Sequence, residues 1–284
     1  MAFGARVPGS PAHTATRRWL VARLDSLGAS VSEQAITYTS RRDPARRYEG
    51  VNIIASTRLD APTRILLAAH WDSRATADED PDPARRSDPV PGANDGASGV
   101  AVLLEIARLL QAHPLPQNVG IDLVLFDLED IGEQIGEAEA ARLAQGGAGD
   151  SLRVPFAVGS QAFVADNPQY RPQFGILLDM VGDTDLRIPK EGYSARYAAP
   201  IVDQIWAAAR RVGATAFVDE NGPAIEDDHI AFLQVGIPVV DLIHAPFPAT
   251  WHTTADTPDR VSAASLQQVG DVLVELLWSP GRPN

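Results

Sequence analysis

A three-layer α/β sandwich, with helices on both faces of a mixed, mostly parallel central sheet, is predicted by three observations. Runs of strand length alternate with stretches of helical period along the whole chain, the pattern of repeated strand–helix crossovers. The strand runs are apolar at consecutive positions, as strands covered on both faces are. Hydrophobic residues make up 45% of the 284 positions, enough to fill such a core.

Taken in order, Trp19, Leu20, Leu24 and Leu27 fall at helical spacing over residues 14–27, and Gly28 supplies the stop. Val31 to Tyr38 alternates like a half-buried strand, and residues 51–56 and 64–70 are apolar strand runs. Residues 97–111 form an apolar helix through Val100, Leu103, Leu104, Ile106, Leu109 and Leu110. Residues 121–126, 174–178 and 237–243 read as buried strands, and helices are expected at 197–212, 228–235 and 262–277. Two polar stretches, 71–94 and 129–155, interrupt the pattern; loops of that length inside a compact fold are usually functional or mobile. No internal repeat or linker divides the chain, so residues 1–284 are expected to form one domain.

The 24 Lys+Arg against 37 Asp+Glu leave a net charge of −13, and Lys190 is the only lysine. Such a surface repels phosphate backbones, which argues against a nucleic-acid partner. No apolar run reaches the roughly 18–20 residues of a membrane helix, so no membrane insertion is expected. With no cysteine, a transition metal must be held by His, Asp and Glu. The stretch from Met1 to Pro11 lacks the charged-then-apolar pattern of a signal peptide, so a cytoplasmic protein or a mature form without its export signal is expected.

Ligands of open α/β sheets bind at the carboxyl ends of the strands, so the residues there carry the chemistry. The run at 64–70 ends in His70-Trp-Asp-Ser, and the run at 121–126 leads to Asp127, Glu129 and Asp130. The run at 174–178 meets Asp179, and the last strand leads past His244 to Trp251-His252. Between them, Asn94-Asp95-Gly-Ala-Ser-Gly opens a helix. Singly, Asp95 reads as a helix cap, His70 as a structural histidine and Glu129-Asp130 as a solvated turn. Together, five termini that deliver carboxylates and imidazoles to one rim point to an oxygen/nitrogen metal site, with zinc the best-suited ion. No Gly-Lys-Ser/Thr follows the glycines of 92–99, which excludes a Walker-type phosphate loop, and there is no Gly-x-Ser-x-Gly elbow. Gly149-Asp-Ser151-Leu with Asp241-x-x-His244 matches a serine-esterase pair, but the serine block stands mid-chain rather than after the first strand.

The ordered set His70-Trp-Asp-Ser, Gly92-Ala-Asn-Asp95-Gly, Phe126-Asp-Leu-Glu129-Asp130, Leu178-Asp179 and Trp251-His252-Thr resembles the zinc aminopeptidase family, with its phosphorylase/hydrolase-like α/β fold. Val7-Pro-Gly-Ser-Pro, Glu226-Asp227-Asp228-His229-Ile-Ala-Phe-Leu and the block from Gly236 through Pro-Phe247-Pro to Trp251-His252-Thr are similar to the glutaminyl cyclases within it. The resemblance implies that Asp95, Asp130 and His252 hold one zinc per chain. It implies Glu129 as general acid/base, Asp179 and Asp227 as a hydrogen-bonded acid network beside it, and Trp251 with Phe247 as substrate walls. His70 and Asp179 stand where the aminopeptidases bind a second metal. The substrates implied are peptides or proteins with N-terminal glutamine, and the location implied by bacterial relatives is periplasmic or secreted.

Three positions depart from animal cyclases. Asp130 replaces a glutamate, the loop 131–140 lacks an aromatic, and Asp241 replaces a histidine, with no role assigned to it. The implied reaction is attack of the substrate's α-amine on its own side-chain amide carbon, which gives pyroglutamate and ammonia. Zinc would polarise the carbonyl and Glu129 would shuttle the proton, its pKa raised by Asp179 and Asp227. The same residues would serve a two-metal aminopeptidase, in which Glu129 takes a proton from water and His70 and Asp179 hold the second ion. A binding domain on a dead peptidase scaffold is the third reading; it is disfavoured because every expected position is retained.

Overall fold

The apolar runs form strands buried on both faces, and the helices sort themselves by which face they cover. In the computed structural model, residues 2–40, 43–132 and 156–279 are described. The strands are β1 (Ser30–Thr39), β2 (Arg47–Ser56), β3 (Thr63–His70), β4 (Val119–Phe126), β5 (Phe174–Asp179), β6 (Ile188–Lys190), β7 (Phe217–Asn221) and β8 (Val239–Ile243). The helices are α1 (Pro11–Ser26), α2 (Ala97–Ala112), α3 (Val158–Asp166), α4 (Gly192–Tyr197), α5 (Ala199–Val212), α6 (His229–Gln234) and α7 (Ala263–Trp278).

Six strands form one mixed sheet in the order β1-β2-β4-β3-β5-β8. Strands β4, β3, β5 and β8 run parallel, and the β1–β2 hairpin joins through an antiparallel β2–β4 pair. Strands β6 and β7 make a separate parallel pair. Leu67, Leu123, Ile176 and Val240 face the larger core with α1, α2, α5 and α7. Their neighbours Leu66, Val124, Leu177 and Val239 face the opposite core, with Phe163 of α3 and Phe232 of α6. Helices thus lie on both faces, in the three layers expected. All four parallel strands deliver their carboxyl ends to one rim. Among the described residues no helix is long and apolar enough to cross a membrane.

Several boundaries differ from expectation for identifiable reasons. The helix expected at 197–212 is α5, which starts two residues later because Pro200 sits in its first turn, and α4 is an additional short helix just before it. Helix α1 begins earlier, at Pro11, where the Ser10 side chain accepts from the His13 N–H. Its Trp19 is 47% exposed while Leu20 and Leu24 are buried, and the polar His13 and Thr16 share the inner face. The last strand starts at Val239 rather than 237, since Pro238 has no N–H to give the ladder. Helix α3 and the β6–β7 pair are additions; a three-residue strand is too short to display a period.

Candidate metal centre and active-site pocket

Each strand end needs a local device to aim its side chain at the rim. After β4, Leu128 takes φ 58°, turning the chain so that Glu129 and Asp130 follow in quick succession. After β5, Met180 takes φ 47°, and His252 itself sits at φ 53°. Non-glycine residues held in this left-handed region cost about 1–3 kcal/mol each, and such strain gathers where function over-determines the backbone. Asp95 does not cap α2: Gly96 holds the cap position and Asp95 faces two histidines instead. Gly96 is required there because a Cβ would overlap the His70 ring.

A frame of buried polar residues fixes these loops. The Asp72 carboxylate accepts from the N–H groups of Glu129 (3.3 Å) and Asp130 (3.2 Å). Asp256 does the same for Asn94 (2.8 Å) and Asp95 (3.1 Å). The buried Arg6 donates to the carbonyls of Trp71, Asp72 and Gly92, tying the N-terminal segment under the rim. Arg74 donates to Asp130 at 2.5 Å and grips Asp78 with two further bonds.

Two donor groups converge in the space so framed, with donor atoms within 4.8 Å of one another: Asp95, Asp130 and His252, and His70, Asp95 and Asp179. Asp95 belongs to both. His252 Nε2 stands 3.7 Å from Asp95 and 3.5 Å from Asp130. Those spacings are long for hydrogen bonds, yet tetrahedral zinc with bonds of ~2.0–2.2 Å puts its ligand atoms ~3.3–3.6 Å apart. Asp130 Oδ2 is buried without a hydrogen-bond partner. An orphaned oxygen of this kind, aimed at a neutral imidazole in a group that includes a second carboxylate, fits a divalent cation. The other group is closed on itself: His70 Nε2 lies 3.0 Å from Asp95 and 3.2 Å from Asp179, within hydrogen-bond range of both.

The electrostatics follow from burial and neighbours. Burial lowers the His252 pKa, which favours the neutral, ligating imidazole. Burial also opposes protonation of His70, but hydrogen bonds to Asp179, Asp72 and Asp95 outweigh it and raise its pKa. Burial opposes the Asp95 carboxylate, but the His70 bond and charge outweigh it and bring its pKa down to about 2. Asp130 is pushed up to about 6, chiefly by burial and with Asp95 adding repulsion. Glu129 is raised well above the usual carboxylate range. Burial is the largest cause, and the like charges of Asp227, Asp130 and Asp228 add to it.

Among the described residues the pocket is lined by Asp95, Glu129, Asp130, Asp179, Glu226 and Asp227 against a single guanidinium, Arg74, and is walled by Met180, Phe247 and Trp251. Trp251 stacks on His252 at a centroid distance of 3.7 Å and meets Phe247 at 4.8 Å. Every site residue read from the sequence therefore lies in this one region. His70, buried beneath the pocket, closes against Asp95 and Asp179. Asp241 lies deeper, both its oxygens without hydrogen bonds, 3.9 Å from His229. Gly149 to Leu152 lies outside the described residues, and His244 is occupied in accepting from the Arg187 N–H at 3.3 Å.

Sequence reasoning missed the frame. Asp72 stood inside a quoted motif, a signal within reach, but Arg6, Asp256 and Glu191 carried none. The Glu191 carboxylate accepts from the N–H groups of Tyr193 (2.8 Å), Ser194 (2.6 Å) and Ile225 (2.9 Å), and lies 3.2 Å from His229 Nε2. It thereby holds the segment 225–227 against the pocket.

Comparison with known proteins agrees with this architecture. The chain is 26% identical over 286 residues to glutaminyl-peptide cyclotransferase of Bos taurus, covering 94% of this chain and 76% of the relative. It superposes on a crystal structure of Bacteroides thetaiotaomicron glutaminyl cyclase bound to N-acetylhistamine with a TM-score of 0.87 and 36% identity, covering 99% of this chain and 94% of that one. A Zn-dependent exopeptidase from Parabacteroides distasonis matches with a TM-score of 0.86 and 37% identity, over 98% and 93% of the two chains. The model of peptidase family M28 matches residues 52–277, from β2 through nearly all of α7 and across the whole rim, and the chain belongs to that family.

Proposed function

We propose that this chain is a zinc-dependent glutaminyl-peptide cyclotransferase, acting on peptides or proteins that begin with glutamine. The carrying observation is the contrast between its two donor groups. Asp95, Asp130 and His252 are spaced for a metal and leave Asp130 Oδ2 unpartnered, whereas His70, Asp95 and Asp179 are already joined by hydrogen bonds. One cation beside one raised carboxyl, Glu129, is what an intramolecular aminolysis needs. The likeness to the Bacteroides cyclase supports that chemistry, and an extracytoplasmic location is carried by the resemblance alone.

Asp95, Asp130 and His252 would hold the zinc, which when bound would polarise the substrate's side-chain amide carbonyl as a Lewis acid and steady the charge on its oxygen. The chain's own residues handle the protons. As the α-amine nitrogen bonds to the side-chain amide carbon, Glu129 takes a proton from that nitrogen. As the carbon–nitrogen bond to the leaving group breaks, Glu129 returns the proton and ammonia departs. A carboxyl raised by burial suits both halves of this exchange near neutral pH. Asp227 and Asp179, also raised by burial, line the same pocket, but among the described residues no hydrogen bond joins either to Glu129, so the network expected from the sequence acts here through charge. Trp251 and Phe247 shield the reacting carbon, which disfavours hydrolysis.

A second reading, a two-metal aminopeptidase, is favoured by one observation: Asp95 is common to both donor groups and can bridge them. The purified protein separates the two. Ammonia release from Gln-dipeptides with about one zinc per chain is the expected result. Release of leucine from a chromogenic amide with two zincs, and no action on Gln-peptides, would overturn the proposal.

A further inference from the structure

The pocket grades from a buried floor to a solvent-facing edge. Asp95, Asp130, Asp179, Met180, Asp227 and His252 are buried, while Glu129, Phe156, Ile225, Glu226, Phe247 and Trp251 are partly or wholly open. A glutamine side chain that reaches the floor must lead the rest of its peptide out past that edge. Two of these residues are charged: Glu129, placed at the reacting atoms, and Glu226, which makes no hydrogen bond or ion pair among the described residues. Arg74, the one guanidinium lining the pocket among the described residues, is committed to Asp78 and Asp130. Phe247 is 38% exposed and rests against Trp251, so an aromatic face is open at the same edge. A lone carboxylate and an open aromatic ring are the two groups that favour a cationic side chain.

Resting on the cyclotransferase reading, we propose that Glu226 is a specificity-determining residue that selects peptides in which the residue after the N-terminal glutamine is arginine or lysine, with Phe247 as the apolar rest for its stem. An acidic residue there meets Glu226 and the floor carboxylates as like charges. Burial without a partner already raises the Glu226 carboxyl, so an incoming cation relieves an uncompensated group.

The test is kcat/KM, read by ammonia release from the zinc-loaded enzyme, for Gln-Arg-Ala, Gln-Ala-Ala and Gln-Glu-Ala at low and high salt. The wild type should favour Gln-Arg-Ala over Gln-Glu-Ala by about tenfold at low salt, the sum of a modest attraction and a matching repulsion. High salt should shrink the ratio to about threefold or less by screening. Glu226→Gln should compress the low-salt ratio to about threefold or less, and Glu226→Lys should reverse the order. Each ratio is internal to one protein, so a partly folded variant does not distort it. Equal kcat/KM across the wild-type series, or a ratio unchanged in both variants, overturns the inference while leaving the cyclotransferase reading intact. Failure of the wild type to cyclise any of the three peptides overturns both.

Discussion

Replacing Glu191 by glutamine tests whether the frame behind the pocket is electrostatic or merely a matter of shape. Glu191 is 1% exposed, and its carboxylate accepts from the N–H groups of Tyr193, Ser194 and Ile225 beside His229. Burial alone would raise its pKa, but His229 and the Ser194 donors win and bring it from an ordinary 4.5 to about 2. A depressed carboxyl stabilises the native state above its unfolded value and loses that contribution as pH falls through the folded value. That depression corresponds to roughly 3 kcal/mol at pH 7. Because glutamine mimics the protonated acid, Glu191→Gln should lose about that much at pH 7. At pH 3.5 the wild-type carboxyl has surrendered about 1.4 kcal/mol of its contribution, so the difference between the two proteins should narrow to about 2 kcal/mol. Urea unfolding of both proteins at pH 7, 5 and 3.5 measures this directly. A difference that stays constant across the range, or that is below about 0.5 kcal/mol at pH 7, would refute the reasoning.

Two further outcomes concern the site. Glu129→Gln should reduce cyclisation by about 10²–10⁴-fold while bound zinc, measured by elemental analysis, is unchanged, since Glu129 is placed as the proton carrier and not as a ligand. Asp256→Ala frees the N–H groups that aim Asp95, and zinc affinity in a chelator competition should fall by about 10–100-fold.

Much of this protein is legible along the chain. The parallel strands announce themselves because burial on both faces demands apolar side chains at consecutive positions, and Arg64–His70 and Ile121–Phe126 satisfy that demand with no help from context. Their ends are equally readable: a His or Asp that terminates an apolar run has nowhere to go but the rim. The apolar spacing of α1 misled at Trp19, because the inner face of that helix is partly polar. His13 lies there 3.0 Å from Asp127 and stacked on Trp71 at 4.2 Å. No periodicity records a buried hydrogen-bonded pair.

By itself the sequence determined the layered architecture and which carboxylates and imidazoles stand at the strand ends, since both follow from local periodicity and from the chain direction of parallel strands. Only the tertiary structure decided how those groups divide. Asp95 turns away from capping its helix to stand between two histidines, His70 is drawn into hydrogen bonds, and His252 is left at a metal's spacing from two carboxylates. Glu191, Asp256 and Arg6, far away in the chain, hold that arrangement. Distances of a few tenths of an ångström separate a hydrogen bond from a ligand pair, and they are set by loops meeting across 34 to 162 residues, a scale on which no local pattern carries information.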